Sequence, residues 1–124
     1  MKHILFISYD GMTDPLGQSQ VIPYLSGITK SGYRFTILSC DKPGRYIAHK
    51  QFVERSIENL PIRWISIPYH KNPPLLSSMY DYRMLKKKAD ELYKADPFLM
   101  VHTRPGLPTL VALKKKKKYG TLFL

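Results

Sequence analysis

Short apolar runs alternate with helix-type patterns along almost the whole chain, and this alternation constrains the fold more than any other feature. Apolar runs at 4–7, 34–39, 62–67 and 98–101 predict four strands, and 121–124 begins a fifth. Helical patterns fill the intervals, at 19–31, 46–57, 78–95 and 108–118. Strands separated by helices form βαβ units with right-handed crossovers. We therefore expect an α/β fold, a Rossmann-like parallel sheet with helices on both faces.

Local signals set several of the helix boundaries. Ser78 and Asp81 have the spacing of a capping box, which predicts that they open the third helix. Pro23 is awkward inside a helix, so the first helix is expected to begin near Ser19 or to bend at the proline. Gly32 is placed to end that helix just past its last turn.

Composition and charge narrow the class of protein. The 124 residues fit one domain, and the single cysteine, Cys40, excludes a disulfide framework within the chain. No signal peptide or membrane-length apolar stretch is present, which predicts a soluble, cytoplasmic protein. The net charge is +11, concentrated in Lys86–Lys88 and Lys114–Lys118. Such a charge favours an acidic partner, although each run is also typical of a solvated helix face or end.

The first predicted strand is followed by an unusually long loop, Tyr9 to Gln20, of about ten residues, where about two to six are usual. In a sheet of order 3-2-1-4-5, the strand order reverses between strands one and four, and ligands bind beyond the carboxyl ends there. The segment His102–Arg104 leaves strand four at the same edge. We expect the two segments to face each other across one crevice.

The loop and the exit of strand four supply the candidate binding residues. They are Asp10, Gly11, Gly17, Gln18, His102 and Arg104. Gly17 precedes a predicted helix start, where free N–H groups suit a phosphate or a sugar hydroxyl. A valine there is expected to reduce activity more than stability. The alternative is that the glycines serve only turns.

Several kinds of site are not supported by the spacing. The dinucleotide fingerprint and the Walker-type phosphate loop are both absent. No histidine, cysteine or carboxylate set has metal-ligand spacing, so we expect neither a metal nor a cofactor. His102 is the one weak candidate for a catalytic residue, and a histidine at a strand end is more often structural.

Two segments resemble the family-four, retaining glycosyltransferases of the GT-B fold. They are "ILFISYDGMTDPLGQSQVIPYLSGITKSGYRFTILSC" and "FLMVHTRPGLPTLVALKKKKKYG". The order and spacing of strand, glycine-containing loop, apolar helix and strand-four histidine carry the resemblance. The sequence departs from the family at Tyr33, where histidine is usual, and at Leu16–Gly17, where two adjacent glycines are common.

The resemblance implies transfer of a sugar from a nucleotide-sugar donor to a glycan or lipid-linked acceptor, as in cell-envelope polysaccharide synthesis. Residues 1–124 would then be the N-terminal, acceptor-side domain of a two-domain enzyme. The C-terminal nucleotide-sugar domain would be absent, and the fragment alone inactive. The apolar run "TLFL" at the end, which looks like half a buried strand, also predicts a longer parent, although an edge strand could end there.

Two other functions stay open on the sequence. One is a non-catalytic, anion-binding Rossmann-like module, and the other is a fragment of a nucleotide-sugar epimerase. The lysine runs would allow a peripheral contact with an anionic membrane at its inner face. No nucleic-acid motif accompanies the charge, so no specific nucleic-acid partner is expected.

Overall fold

The computed structural model describes residues 2–9, 11–15, 17–69, 74–103 and 122–123, with the side chains of 74–78 and 122–123 excepted. In chain order the elements are β1 (Lys2–Ser8), a π-helix (Gly17–Val21), α1 (Ile22–Thr29), β2 (Tyr33–Asp41), α2 (Pro43–Ile57), β3 (Ile62–Pro68), α3 (Pro74–Ala95), β4 (Met100–Thr103) and β5 (Leu122–Phe123). The helix expected at 108–118, with its lysine run, lies outside the described residues.

The five strands form one sheet in the order β3-β2-β1-β4-β5, and every neighbouring pair is parallel. Strand β1 lies at the centre, so Ile4 is opposite Phe35 of β2 on one side and Met100 of β4 on the other. The expected order and the all-parallel arrangement are confirmed. The strand order therefore reverses between β1 and β4, and open α/β sheets bind ligands beyond the carboxyl ends of the strands at such a point.

Side chains of the strands alternate between two apolar cores, one on each face of the sheet. On the first face, β1 to β3 pack against α1 and α2, through Ile4, Phe6, Phe35, Ile37, Ile62, Leu25, Val53 and Ile57. On the second face, β1 to β4 pack against α3, through Leu5, Ile7, Leu38, Ile67, Val101, Leu85, Ala89 and Leu92. Helices thus cover both faces, as the alternation of elements predicts.

The start of α3 differs from the expectation. The helix begins at Pro74, so Ser78 and Asp81 lie inside it and do not form its N-terminal cap. Proline is tolerated in a first helical turn, which lets the helix begin in a segment that looks like a proline-rich loop. Asp81 is fully buried and accepts a hydrogen bond of 2.8 Å from the hydroxyl of Tyr9. This bond ties the exit of β1 to α3.

The first helix resolves the problem of Pro23 in a way that the sequence pattern did not predict. A five-residue π-helix, Gly17–Val21, precedes α1, and Pro23 falls at one of the first two positions of α1. The π-helix runs directly into α1, so Pro23, which has no N–H to donate, lies where the helical hydrogen-bond pattern changes. Gly32 follows the helix at φ +90°, in the left-handed region expected of a glycine in a tight turn.

The amino-terminal edge of the sheet is joined by a polar network around His3. The ring Nδ1–H donates to the carbonyl oxygen of Pro97 (3.2 Å), and the hydroxyl of Thr36 donates to Nε2 (2.7 Å). Arg34 forms a two-point ion pair with Asp96, at 2.6 and 2.8 Å, which lowers the pKa of the Asp96 carboxyl. The network holds the loop between α3 and β4 against β1 and β2.

Protonation of His3 should destabilise the fold. Burial lowers its pKa below the usual value near 6.5, and burial lowers that of His102 in the same direction. The unfolded chain then binds protons more readily than the folded chain, so stability is complete above about pH 6.5 and falls as the pH drops below it. We expect the melting temperature to fall between pH 7.5 and pH 5, and His3→Asn to reduce the size of that fall.

The measurement is thermal unfolding at pH 7.5, 6 and 5. The ion pair lowers the pKa of Asp96, so the stability that its carboxylate contributes is lost only below about pH 3.8, the value of the unfolded chain. Asp96 therefore does not titrate in the range measured. His102→Asn is the matched variant and should remove the remaining part of the dependence. A melting temperature that stays constant over this range would contradict the expectation.

Cys40 is buried in the second core, and burial raises the pKa of its thiol well above the ordinary value. The thiol therefore stays protonated and behaves as a small apolar side chain, as expected from the sequence. Within the described part of the chain, no helix has the length and apolar character needed to cross a bilayer.

Candidate functional site

A cavity of about 350 Å³ lies between strands β1 and β4 and the helical segment formed by the π-helix and α1. The described residues that line it come from four elements and are Phe6, Gln20, Val21, Tyr24 and His102. In the register of the sheet, Phe6 lies directly opposite His102. Of the two segments expected to face each other, Gln20 of the first and His102 of the second line this one cavity.

His102 contributes an uncharged imidazole to this cavity. Its ring lies 5.1 Å from that of Phe6 and 6.4 Å from that of Tyr24, between centroids. Burial lowers the pKa of His102, so the ring is neutral at neutral pH. A neutral imidazole can donate one hydrogen bond and accept another, which suits a ligand hydroxyl.

The opposite wall of the cavity is formed by the π-helix and the first turn of α1. Gln20 and Val21 belong to the π-helix, and Tyr24 belongs to α1. Single-turn π-helices are frequent at functional sites, because they displace side chains from the regular helical positions. The tyrosine is 57% exposed although it lies beside the cavity. The wall therefore offers an amide, an aromatic ring and a phenol to a ligand.

The first loop is fastened to the sheet by Asp41, the last residue of β2, which is 1% exposed. Its Oδ2 accepts hydrogen bonds from the backbone N–H (2.9 Å) and the hydroxyl (2.7 Å) of Thr13. Its Oδ1 accepts from the hydroxyls of Ser39 (2.6 Å) and Ser66 (2.8 Å). Trp64 extends the cluster by donating its indole N–H to the Ser39 hydroxyl at 2.9 Å. Four hydrogen bonds thus saturate one buried carboxylate.

Arg45, in the first turn of α2, holds the same loop from the other side. Its guanidinium donates two hydrogen bonds to the carbonyl oxygen of Thr13, at 3.0 and 2.7 Å. It also forms an ion pair of 3.2 Å with Asp14, whose other carboxylate oxygen accepts the backbone N–H of Gly11. The loop is therefore held at its backbone as well as at its side chains.

Gly17 and Gly11 are both buried within the loop, and neither lines the cavity. A Cβ on Gly17 would lie 2.5 Å from the carbonyl oxygen of Gly11 and 2.7 Å from the Cα of Met12. A Cβ on Gly11 would lie 2.6 Å from Oδ2 of Asp41. Both glycines therefore allow backbone to pack on its neighbours, and replacing Gly17 should cost stability first, contrary to the expectation from sequence.

The remaining candidates from the sequence fall into three groups. His102 lies on the cavity. Gln18 donates its side-chain amide to the carbonyl oxygen of Thr13 (2.8 Å) and so helps to hold the loop. Asp10 and Arg104 lie outside the described residues.

Sequence reasoning missed the residues that build the loop and the far wall of the cavity: Asp41, Arg45, Thr13, Gln20 and Tyr24. A signal for Asp41 was present, because it follows a buried strand at the carboxyl edge of the sheet. In dinucleotide-binding folds an acidic residue about 20 positions after the glycine motif binds the ribose hydroxyls. Here the acidic residue at the end of β2 is occupied by the protein's own loop. This agrees with the absence of the dinucleotide fingerprint from the sequence.

Across the described ranges, no group of three or more histidine, cysteine or acidic side chains is arranged to hold a metal ion.

No family model matches the sequence, and comparison with curated proteins finds no match. Solved structures do match. The C-terminal domain of a hydrogenase from Pyrococcus furiosus is 24% identical with a TM-score of 0.70, over 99% of this chain and 89% of that one. At this identity the likeness establishes the fold alone.

Glycosyltransferases are also among the structural matches. MurG from Acinetobacter baumannii is 12% identical with a TM-score of 0.61, and a UGT transferase from Siraitia grosvenorii, in complex with UDP, is 13% identical with a TM-score of 0.65. A glycosyltransferase from Rickettsia africae is 14% identical with a TM-score of 0.58. Nearly all of this chain aligns with each, but it spans only 34%, 27% and 28% of their lengths, respectively. The chain thus has a Rossmann-like fold shared with domains of GT-B glycosyltransferases.

Proposed function

We propose that the chain is the N-terminal, acceptor-side domain of a retaining glycosyltransferase, which moves a sugar from a nucleotide-sugar donor to a glycan or lipid-linked acceptor. The resemblance of its two sequence segments to family four supports this, as does the shared fold of three glycosyltransferases. In this proposal a second, C-terminal domain binds the nucleotide-sugar. Residues 1–124 provide the acceptor wall of the cleft between the two domains.

The observation that carries the proposal is the cavity at the carboxyl edge, whose described lining residues bear no formal charge at neutral pH. Aromatic rings suit the C–H faces of a sugar, while the amide of Gln20 and the imidazole of His102 can bond its hydroxyls. The acceptor's reacting hydroxyl would lie near His102, whose neutral nitrogen can accept its hydrogen bond. A volume of about 350 Å³ lies within the ordinary range for small-molecule sites.

Binding of simple sugars to the 124-residue chain tests the proposal. The probes are methyl glycosides of glucose, galactose and mannose, followed by saturation-transfer NMR and by titration of the His102 ring signals. We expect millimolar binding of at least one probe, weakened about fivefold or more by His102→Ala and by Tyr24→Ala. A loss of fivefold corresponds to about 1 kcal/mol, the size of one hydrogen bond or ring contact.

Ile47→Ala is the matched control, because Ile47 lies on α2 with 82% of its surface exposed and does not line the cavity. Sugar binding should be unchanged in this variant. Sugar binding that survives both cavity variants, or binding of none of the three probes, would contradict the assignment of this cavity to an acceptor.

A non-catalytic Rossmann-like module that binds anions is the second candidate. The observation that favours it is the likeness to the hydrogenase domain, of which this chain covers 89%. A domain of nearly the same length therefore occurs in a protein that is named a hydrogenase and not a glycosyltransferase. Inorganic phosphate and pyrophosphate, titrated in the same NMR experiment, separate the two candidates: binding of either anion with no sugar response favours the module.

The basic run Lys86–Lys88 lies on α3, on the sheet face opposite to the cavity side. Lys87 is exposed, and Lys88 lies 3.5 Å from Glu91. We include in the proposal a peripheral contact of this face with an anionic membrane, where each lysine could contribute about 1 kcal/mol. A cytoplasmic location, at the inner face of the membrane, belongs to the same proposal.

A further inference from the structure

Asp41 is an unusual residue for the interior of this sheet. It is 1% exposed, and its four hydrogen-bond donors are all neutral groups. A carboxylate is costly to bury, and a structure retains one without an adjacent cation only where hydrogen bonds replace its lost hydration. The nearby Arg45 bonds the carbonyl oxygen of Thr13 and pairs with Asp14. The cluster therefore needs an explanation beyond the pairing of charges.

The contacts of Asp41 lead from the sheet into the first loop. Its Oδ1 is held by two strand hydroxyls, of Ser39 and Ser66, while its Oδ2 is held by the backbone and hydroxyl of Thr13. One carboxylate oxygen thus faces the rigid strands, and the other faces the loop. Because a carboxylate accepts at both oxygens, it can join these two parts while all four partners act as donors.

The loop in turn determines where the π-helix lies. The carbonyl oxygen of Thr13 accepts the side-chain amide of Gln18, and the carbonyl oxygen of Asp14 accepts the backbone N–H of the same residue at 3.1 Å. Gly17, the first residue of the π-helix, packs so closely on Gly11 and Met12 that no side chain fits between them. A shift of the loop would therefore displace the π-helix.

The π-helix carries Gln20 and Val21 into the wall of the cavity. We propose that Asp41 is a positioning residue for this cavity: through Thr13 it sets the place of the first loop, and through the loop the place of the π-helix. Asp41 does not line this cavity, so it would act on a ligand bound there only through Thr13 and the π-helix. The inference deepens the proposed function, because the group that it positions is the wall assigned to the acceptor.

The benefit of such a device is preorganisation. Sites bind and react best when their groups are held in place by supporting hydrogen bonds before the ligand arrives. The loop between β1 and the π-helix, residues 9–16, would otherwise be the least fixed part of the sheet edge. Asp41 and Arg45 give it fixed contacts on two sides, which would hold the π-helix in place before a ligand binds.

Two matched variants test the proposal, since each removes one hydroxyl bond to the same carboxylate. Thr13→Val removes the bond from the loop (2.7 Å), and Ser66→Ala removes the bond from the strand (2.8 Å). The measurement is amide hydrogen exchange by NMR at residues 17–21, with α2 as an internal reference. We expect exchange there to rise about tenfold or more in Thr13→Val and to change less than about twofold in Ser66→Ala.

Thr13→Ser is the rescue variant, because it restores the hydroxyl and should restore slow exchange at residues 17–21. It also keeps the test meaningful if Thr13→Val folds poorly: fast exchange in a well-folded Thr13→Ser would overturn the proposal. So would equal exchange at 17–21 in Thr13→Val and Ser66→Ala, since the cluster would then stabilise the whole sheet without positioning the π-helix.

The sugar titration with methyl glycosides, repeated on the same variants, separates this inference from the proposed function. If exchange responds as expected and a probe binds more weakly to Thr13→Val than to Thr13→Ser, both stand. If exchange responds and no probe binds the wild-type chain, Asp41 still positions the π-helix, and the acceptor assignment fails.

Discussion

Replacing Gly17 by alanine should lower the melting temperature by roughly 3 to 10 °C, a large effect for a single methyl group. The added Cβ would lie 2.5 Å from the carbonyl oxygen of Gly11 and 2.7 Å from the Cα of Met12, and both are backbone atoms with little freedom to move. Overpacking of this kind costs about 1–3 kcal/mol. For a domain of this size, a change of one degree in the melting temperature corresponds to about 0.3 kcal/mol in the free energy of unfolding. Thermal unfolding of the purified variant is the measurement.

Gly27→Ala is the matched control, since it makes the same substitution in the helix that follows. A Cβ on Gly27 would meet nothing within 4 Å, and alanine favours the helical state. This variant should therefore gain about 0.5–1 kcal/mol of stability. Equal melting temperatures for Gly17→Ala and the wild-type chain would show that the loop can yield, and that the close packing at Gly17 is not required.

The fold could be predicted from the sequence because its signals are local and periodic. Apolar runs at period two and helical stripes at period 3.6 identify the elements, and the short connections leave one simple parallel order. The boundaries that differ involve prolines. Pro43 and Pro74 begin α2 and α3, although each looks like part of a preceding loop. Their tolerance in a first helical turn explains both differences.

The π-helix could not be predicted in this way. Its hydrogen-bond period has no characteristic residue pattern, and its place depends on Gly17 meeting the backbone of Gly11 and Met12. That contact is made by the tertiary structure of the loop. The sequence indicated that the loop lies near the end of β4, and Gln20 and His102 do line one cavity. It could not indicate that Gly17 and Gln18 support the wall of the cavity from behind.

Replacing Asp41 by alanine should have the largest effect of any single change considered, a loss of about 3–4 kcal/mol in the free energy of unfolding. The substitution leaves a buried backbone N–H and three hydroxyls without their acceptor. Each unpaired buried group costs about 1–3 kcal/mol, although the hydroxyls can partly bond one another. Urea unfolding, followed by the fluorescence of Trp64, measures the loss. This residue is the one tryptophan of the chain, and it bonds Ser39 in the cluster.

Asp41→Asn and Asp96→Asn form the matched comparison. Both replace a carboxylate that accepts several hydrogen bonds, but Asp96 pairs with Arg34 at the opposite edge and is 48% exposed. Water can replace the lost partner of Arg34, whereas an amide at position 41 keeps one acceptor oxygen for Thr13 and turns its NH2 toward the hydroxyls of Ser39 and Ser66, which must then reverse their hydrogen bonds. Asp41→Asn should therefore destabilise the chain more than Asp96→Asn. Equal losses would mean that the Asp41 cluster is not closed to solvent.

The Asp41 cluster also shows where prediction from sequence ends. An aspartate after a buried strand indicates a polar group at the carboxyl edge of the sheet, and that much can be read from the residues alone. Its partners Thr13 and Ser66 are distant in sequence and become neighbours only when β1, β2 and β3 are side by side. Hydrogen bonds from distant hydroxyls to one carboxylate leave no periodic signal.

The central position of β1 has a consequence for how the chain is made. This strand leaves the ribosome before the other four and can pair with β2 after a few dozen residues, but its other side stays unpaired until β4 follows, because Ile4 is opposite Met100. Throughout that interval the nascent sheet presents an unpaired apolar edge, of the kind that recruits other chains. Synthesis proceeds at about 5–20 residues per second, so the exposure lasts for seconds. During translation, protection by a chaperone would be needed most along the free side of β1.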